Sequence, residues 1–316
     1  MIKVIYDTDP GIDDAVALHF AHCSKDIDLV GITTVFGNNT IDVTTRNSLF
    51  LKDKLGINCP VAKGCGHPVV IAPNAPSVFA HGNDGLGDVY DTTPTAKPSD
   101  KHAVQFIIDT VLANPHEITI VAVGPLTNLA LACRLEPRIT ELVKNVVIMG
   151  GSTFRNGHYG NKSPVAEANI HRDPHAAQIV FNAGFPLTMV GLDVTHEVLL
   201  DNSRLNELET RGGESGRIMY NIIRHYSRYA KERYGLDGIR PHDLQAFICA
   251  IRPQLYQTLK GNFQVVTEGI AEGQTIFYDG EHLKGKDGAA ISELCVSVAA
   301  AEVAQCYFDT VFESQS

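Results

Sequence analysis

The stretch Ile2-Lys3-Val4-Ile5-Tyr6-Asp7-Thr8-Asp9-Pro10-Gly11-Ile12-Asp13-Asp14-Ala15 decides the fold. Residues 2–6 are an apolar, β-branched run of strand character. Pro10-Gly11 breaks it with a turn. From Ile12 a run of helical period begins and continues to Cys23, with Asp13 and Asp14 in the first turn, where the helix dipole favours acids. A strand that turns directly into a helix is half of a βαβ unit, and the alternation repeats outward from it. Residues 29–35, 118–123, 146–149 and 187–191 read as further strands, and 41–55, 102–113, 126–135 and 174–183 as helices. These strands are almost wholly apolar rather than alternating, as expected when helices cover both sheet faces.

Two stretches interrupt the rhythm. Residues 68–98 are rich in Gly, Pro, Asp, Asn and Thr, and 150–164 in Gly and Asn. Loops this long inside a compact domain are usually functional or disordered. From Gly261 the pattern changes to strand-like runs at 263–267, 275–278 and 291–298, then a last helix near 302–312. The expectation is a single α/β domain over 1–316. Its sheet is mostly parallel and Rossmann-like, flanked by helices, with additional antiparallel strands near the C-terminus.

The 316 residues carry 26 Lys and Arg against 36 Asp and Glu, a formal net charge of -10. That balance argues against a nucleic-acid partner or an anionic membrane surface, both of which call for a basic face. No run approaches the ~20 apolar residues of a membrane span, and the first residues do not read as a secretory signal. Seven scattered cysteines form no CxxC pair, so a reduced cytoplasmic protein is expected.

Chemistry concentrates at strand ends, where open α/β sheets bind ligands. Asp7, Asp9, Asp13 and Asp14 crowd one strand–turn–helix junction and repel one another unless a cation or strong donors sit among them. Their ligand set is all hard oxygen, which favours Ca²⁺ or Mg²⁺ over zinc. A lone Asp there would only complement the helix dipole. Later strand ends add Gly37-Asn38-Asn39, Gly124-Pro125-Leu126-Thr127-Asn128, Gly150-Gly151-Ser152 and Asp193-Val194-Thr195-His196. Such a crevice of amides, hydroxyls and carboxylates suits a polyhydroxylated ligand. Glu167 and Asn169 could grip vicinal hydroxyls if their stretch is extended. His242-Asp243 places a group that titrates near neutral pH beside another candidate ligand, although a capping Asp after a surface His would look the same. Tyr229 and Tyr234 could stack on an aromatic ligand. Residues 280–286 approach a phosphate loop, but Asp287 stands where Ser or Thr is required. An aspartyl-nucleophile, Mg²⁺-dependent phosphohydrolase shares the Asp7-x-Asp9 pattern, and a non-catalytic Ca²⁺-dependent binding protein would use the same crevice.

Taken in order, these motifs resemble the nucleoside hydrolases, the inosine-uridine preferring nucleoside N-ribohydrolases, and most of all the bacterial broad-specificity members. The likeness rests on Asp7-Thr8-Asp9-Pro10-Gly11-Ile12-Asp13-Asp14, Ile32-Thr33-Thr34-Val35-Phe36-Gly37-Asn38, His81-Gly82, Met149-Gly150-Gly151, Glu167-Ala168-Asn169 and Gly191-Leu192-Asp193. It implies Ca²⁺-dependent hydrolysis of the N-glycosidic bond of ribonucleosides by a homodimer or homotetramer. It implies a Ca²⁺ held by Asp9, Asp14, Asp243 and the Val123 carbonyl, with Asn38 near the water on the metal. Asp13, Asn161, Glu167 and Asn169 would surround the ribose, and His81 would lie beside ribose or base on a mobile loop. Asp9 would be the general base and His242 the acid for the leaving base.

Overall fold

The structure, a computed structural model, describes residues 1–283 and 290–314. Eleven strands are present among them: β1 Ile2–Thr8, β2 Ile27–Thr34, β3 Val61–Lys63, β4 Ile118–Ala122, β5 Asn145–Met149, β6 Leu187–Val190, β7 Leu200–Asp201, β8 Gly238–Ile239, β9 Tyr256–Val265, β10 Thr275–Asp279 and β11 Ser292–Val298. Nine of them form one sheet in the order β10-β9-β11-β6-β5-β4-β1-β2-β3, and β7 pairs with β8 in a separate ribbon. The run β3-β2-β1-β4-β5-β6-β11 is parallel throughout. Strand β9 runs antiparallel to both β11 and β10. The expected antiparallel addition is therefore centred on β9, while β11 extends the parallel sheet.

The order 3-2-1-4-5-6 places the topological switch point between β1 and β4, where crossovers leave for opposite directions and a crevice opens at the carboxyl ends. Helices cover both faces, as the apolar strands require. On one side the helices Ile12–Cys23, Gly213–Tyr234, Leu244–Ile251 and Ala300–Glu313 pack over Tyr6, Val121 and Val147. On the other, Ala103–Ala113, Thr127–Leu135 and Pro174–Phe181 pack over Ile5, Ile120 and Ile148. Alternate residues of β1 and β4 thus point into two different cores, which is why these strands carry no polar face.

The expected helices at 41–55 and 174–183 are found as Ile41–Leu55 and Pro174–Phe181. The long loop at 68–98 is irregular except for one turn, Val78–His81. Gly280–Leu283 form a 3-10 turn after β10; the rest of the loop-like 280–287 stretch, 284–287, lies outside the described residues. No helix among the described residues is long and apolar enough to cross a membrane. All seven cysteines are free.

Candidate active site

The turn after β1 delivers the acids. Asp9 and Asp14 are at 0% and 1% exposure, Asp13 at 8%, and Asp243, at the start of the Leu244–Ile251 helix, at 3%. Asp14 accepts hydrogen bonds from the Thr8 hydroxyl, from Gly11 N–H at 2.9 Å and from Asn38 Nδ2 at 3.1 Å. It both caps its own helix and belongs to the cluster. Asp9 Oδ2 accepts from Asn38 N–H at 2.6 Å. Asp9 Oδ1 and Asp13 Oδ1 are buried without a hydrogen-bond partner. Oxygens of Asp13, Asp14 and Asp243 lie within 4.8 Å of one another. A Cβ at Gly124 would come within 2.8 Å of Asp9 Oδ1, so only glycine leaves that oxygen its space.

Burial, and then mutual repulsion, raise the Asp9 and Asp243 pKa values well above the ordinary carboxylate range and that of Asp13 to about 7. Carboxylates buried this close together could hold a metal ion. Asp7, the fourth acid of the motif, is occupied elsewhere. Its Oδ1 accepts from Thr33 Oγ1 at 2.6 Å and Asn128 Nδ2 at 2.8 Å, which ties β1 to β2 and to the helix after β4.

A cavity of about 340 Å³ opens in front of the cluster. Asp13, Asn38, His81, Val123, Asn161, Glu167, Asn169, Tyr229, Tyr234, His242 and Asp243 all line it. Asp9 and Asp14 lie behind Asn38, which bonds both. The grips expected for hydroxyls have structural tasks as well. Both carboxylate oxygens of Glu167 accept backbone N–H groups, from Gly151, Asn169 and Ile170, capping the Ala168–Arg172 helix. Asn169 Nδ2 donates to the Val123 carbonyl at 2.6 Å and the Met149 carbonyl at 3.1 Å, bridging the ends of β4 and β5. Asn161 Oδ1 accepts from Ala168 N–H.

His81 is 6% exposed, and its Nδ1 accepts from Ile12 N–H at 3.1 Å, which leaves the proton on Nε2. Gly11 makes room for it, since a Cβ there would meet the ring at 2.7 Å. His242 Nδ1 shares a hydrogen bond with Thr195 Oγ1 at 2.8 Å. Burial, then the charges of His196, Arg240 and His81, hold its pKa well below 6.5, so the expectation of titration near neutral pH is corrected: the ring is neutral there.

The chain as a whole matches a known family. The family model of inosine-uridine preferring nucleoside hydrolases matches residues 4–305. The chain belongs to that family. It is 40% identical over 278 residues to the inosine-uridine preferring nucleoside hydrolase of Leishmania major, covering 87% of each chain. It is 39% identical over 279 residues to uridine nucleosidase 1 of Arabidopsis thaliana, covering 88% of this chain and 82% of that one. A solved plant nucleoside hydrolase superposes with a TM-score of 0.94 at 35% identity, over 98% of this chain and 99% of the other. This nucleoside hydrolase is thus an N-ribosyl hydrolase acting on ribonucleosides, built on the α/β domain expected from its strand–helix rhythm.

Two of its site residues, Tyr226 and Arg172, lie outside the sequence motifs, and His196 enters only as the last residue of Asp193-Val194-Thr195-His196. Tyr226 stacks on His81 with ring centroids 5.6 Å apart, and Tyr229 stacks on Tyr226 at 6.3 Å. Tyr226 stands one helical turn before Tyr229, and that spacing is the signal that could have found it. His196 lines the cavity beside His242, with centroids 5.4 Å apart. Arg172, a cation buried among the acids, is 3% exposed.

Proposed function

We propose that this nucleoside hydrolase cleaves purine and/or pyrimidine ribonucleosides with Ca²⁺ in the acid cluster, Asp9 as general base and His242 assisting the departing base. The observation that carries this is Asp9 itself: a fully buried carboxylate with one oxygen bonded and the other partnerless, behind a cavity lined by Asp13, Asp243 and amides. The residues present fit a hard cation. Asp9, Asp14, Asp243 and the Val123 carbonyl would hold it, and when bound it would supply polarisation that acidifies the attacking water.

The chain's own groups do the rest. Asp9 Oδ1 takes the water proton. Asp13 accepts from a ribose hydroxyl, and Asn161, Glu167 and Asn169 close around the sugar, converting binding energy into alignment. As the glycosidic bond breaks, positive charge spreads over the ribose, and the surrounding carboxylates stabilise that oxocarbenium-like state. His242 donates a hydrogen bond to the leaving base, with His81, Tyr229 and Tyr234 beside its ring. The products would feed salvage or catabolism in the cytoplasm, a compartment that suits seven free cysteines. A homodimer or homotetramer is the assembly we propose.

The test incubates the protein with inosine, uridine and a phosphomonoester, with and without chelator. Free base and reducing sugar are expected in equal amounts, lost with chelator and restored by Ca²⁺. Chelator-insensitive hydrolysis removes the metal from the account. Phosphate release with Mg²⁺ would make the protein a phosphohydrolase. Tight nucleoside binding without sugar release would make it a binding protein.

A further inference from the structure

Arg172 ends the short Ala168–Arg172 helix, one turn beyond Asn169, and is 3% exposed while lining the cavity. Its guanidinium faces four groups. Nη2 donates to Asn38 Oδ1 at 3.0 Å and to Ser77 Oγ at 2.8 Å. Nη1 stands 3.5 Å from Asp9 Oδ2 and 3.4 Å from Asn169 Oδ1. Nε is buried without a partner. The Asp9 contact is well beyond the roughly 2.7–2.9 Å of a strong charge-assisted bond. The short bonds go instead to two neutral side chains. Arg172 is therefore not the closed half of a tight ion pair. It is a planar fork placed between the acid cluster and the cavity mouth.

The groups it touches are themselves connected. Asn38 bonds Asp9 through its backbone N–H and Asp14 through Nδ2, so fixing Oδ1 on Arg172 fixes the amide that faces both acids. Ser77 N–H donates to the Asn38 carbonyl at 2.9 Å, and Ser77 precedes the Val78–His81 turn that carries His81. One guanidinium thus links the cluster, the amide and the mouth. Its charge lies on the side of Oδ2, leaving Asp9 Oδ1 as the oxygen free for chemistry.

We infer that Arg172 is a positioning residue and an internal counter-charge: it aligns Asp9 and Asn38, latches the Ser77 segment to them, and weakens the cluster's hold on a divalent cation. This inference rests on the acid cluster's being the cation site proposed above. Charge and fork can be separated by substitution. Arg172→Met removes both. Arg172→Lys keeps the charge but replaces the planar fork with a point donor.

The experiment measures Ca²⁺ affinity by calorimetry on chelator-stripped protein, the Ca²⁺-induced rise in melting temperature, and KM and kcat for inosine. With a like charge removed from beside the cation, Arg172→Met is expected to bind Ca²⁺ about fivefold more tightly or better, and to show a larger Ca²⁺-induced rise than wild type. Arg172→Lys is expected to bind Ca²⁺ within about twofold of wild type yet to raise KM about threefold or more, as the mouth loses its latch. Unchanged Ca²⁺ affinity in a folded Arg172→Met protein overturns the counter-charge. Unchanged KM in Arg172→Lys overturns the positioning role, and this arm stands even where the Met variant does not fold. A wild-type protein that binds no Ca²⁺ refutes the metal reading and the counter-charge with it; Arg172 as a positioning residue is then decided by the Lys variant's KM alone.

Discussion

The His242 ring is held neutral, because burial and the neighbouring His196, Arg240 and His81 suppress its protonation. In the proposed role its Nδ1 accepts from the Thr195 hydroxyl, the tautomer in which Nε2–H would donate to a leaving group. Its contribution should then scale with how poor the leaving group is. His242→Ala is expected to slow inosine by about 10²-fold or more while slowing a nitrophenyl riboside far less. Equal losses on both substrates would remove His242 from the departing base. The adjacency of His242 and Asp243 is plain in the chain, but the depressed basicity is not, since it depends on rings brought in from other elements. Arg172 was hidden for a related reason. In Ile170-His171-Arg172-Asp173 an arginine reads as solvent-facing, and only the fold turns it onto Asn38 and Asp9.

Helices that begin at the sheet's carboxyl edge set the site, and their starts were legible where a polar cap meets an apolar run. Asp13-Asp14 opens Ile12–Cys23, and Asp173-Pro174 opens Pro174–Phe181 with the Asp173 side chain accepting from Ala176 N–H. The Leu244–Ile251 helix was hinted at only by Asp243 as a cap, because its eight residues fall short of the window over which a helical period stands out. Strand β3 has only three residues, and the first half of β9 exposes 257–260, so neither shows an apolar run. The reverse face of Ile12–Cys23 makes a pH prediction. His19 is fully buried between Ser215 Oγ at 3.1 Å and Tyr307 Oη at 3.5 Å. Burial, with a smaller push from His22, lowers its pKa from 6.5 to about 3. The unfolded chain therefore binds the extra proton first, so this contribution to stability is complete above 6.5 and is lost as pH falls toward the folded value. His19→Gln, measured by denaturant unfolding at saturating Ca²⁺, should flatten the slope of stability against pH by about 1 kcal/mol per pH unit between about pH 6 and 4.5. An unchanged slope would place the acid sensitivity elsewhere.

At the scale of the molecule, the sheet order explains why acids distant in sequence meet. Strands β1 and β4 flank the switch point, and the loops after them bring Asp9 and Val123 to one crevice, with Asp243 arriving on a helix packed over the same strands. Strand–helix alternation made the parallel sheet readable from the chain. The position of β11 beside β6 was not, because pairing partners among late strands depend on which edge the early ones leave open. The net charge of -10 is likewise partly organised: Asp9, Asp13, Asp14, Glu167 and Asp243 are all buried, and Asp13, Glu167 and Asp243 line one cavity. The central claim is that Asp9 activates water for attack on the ribosyl bond. Its most direct test is ribose release from inosine by Asp9→Asn protein at saturating Ca²⁺, with circular dichroism verifying the fold. A loss of turnover by about 10³-fold or more in a folded protein is the predicted result. Near wild-type turnover from that folded variant would contradict the account.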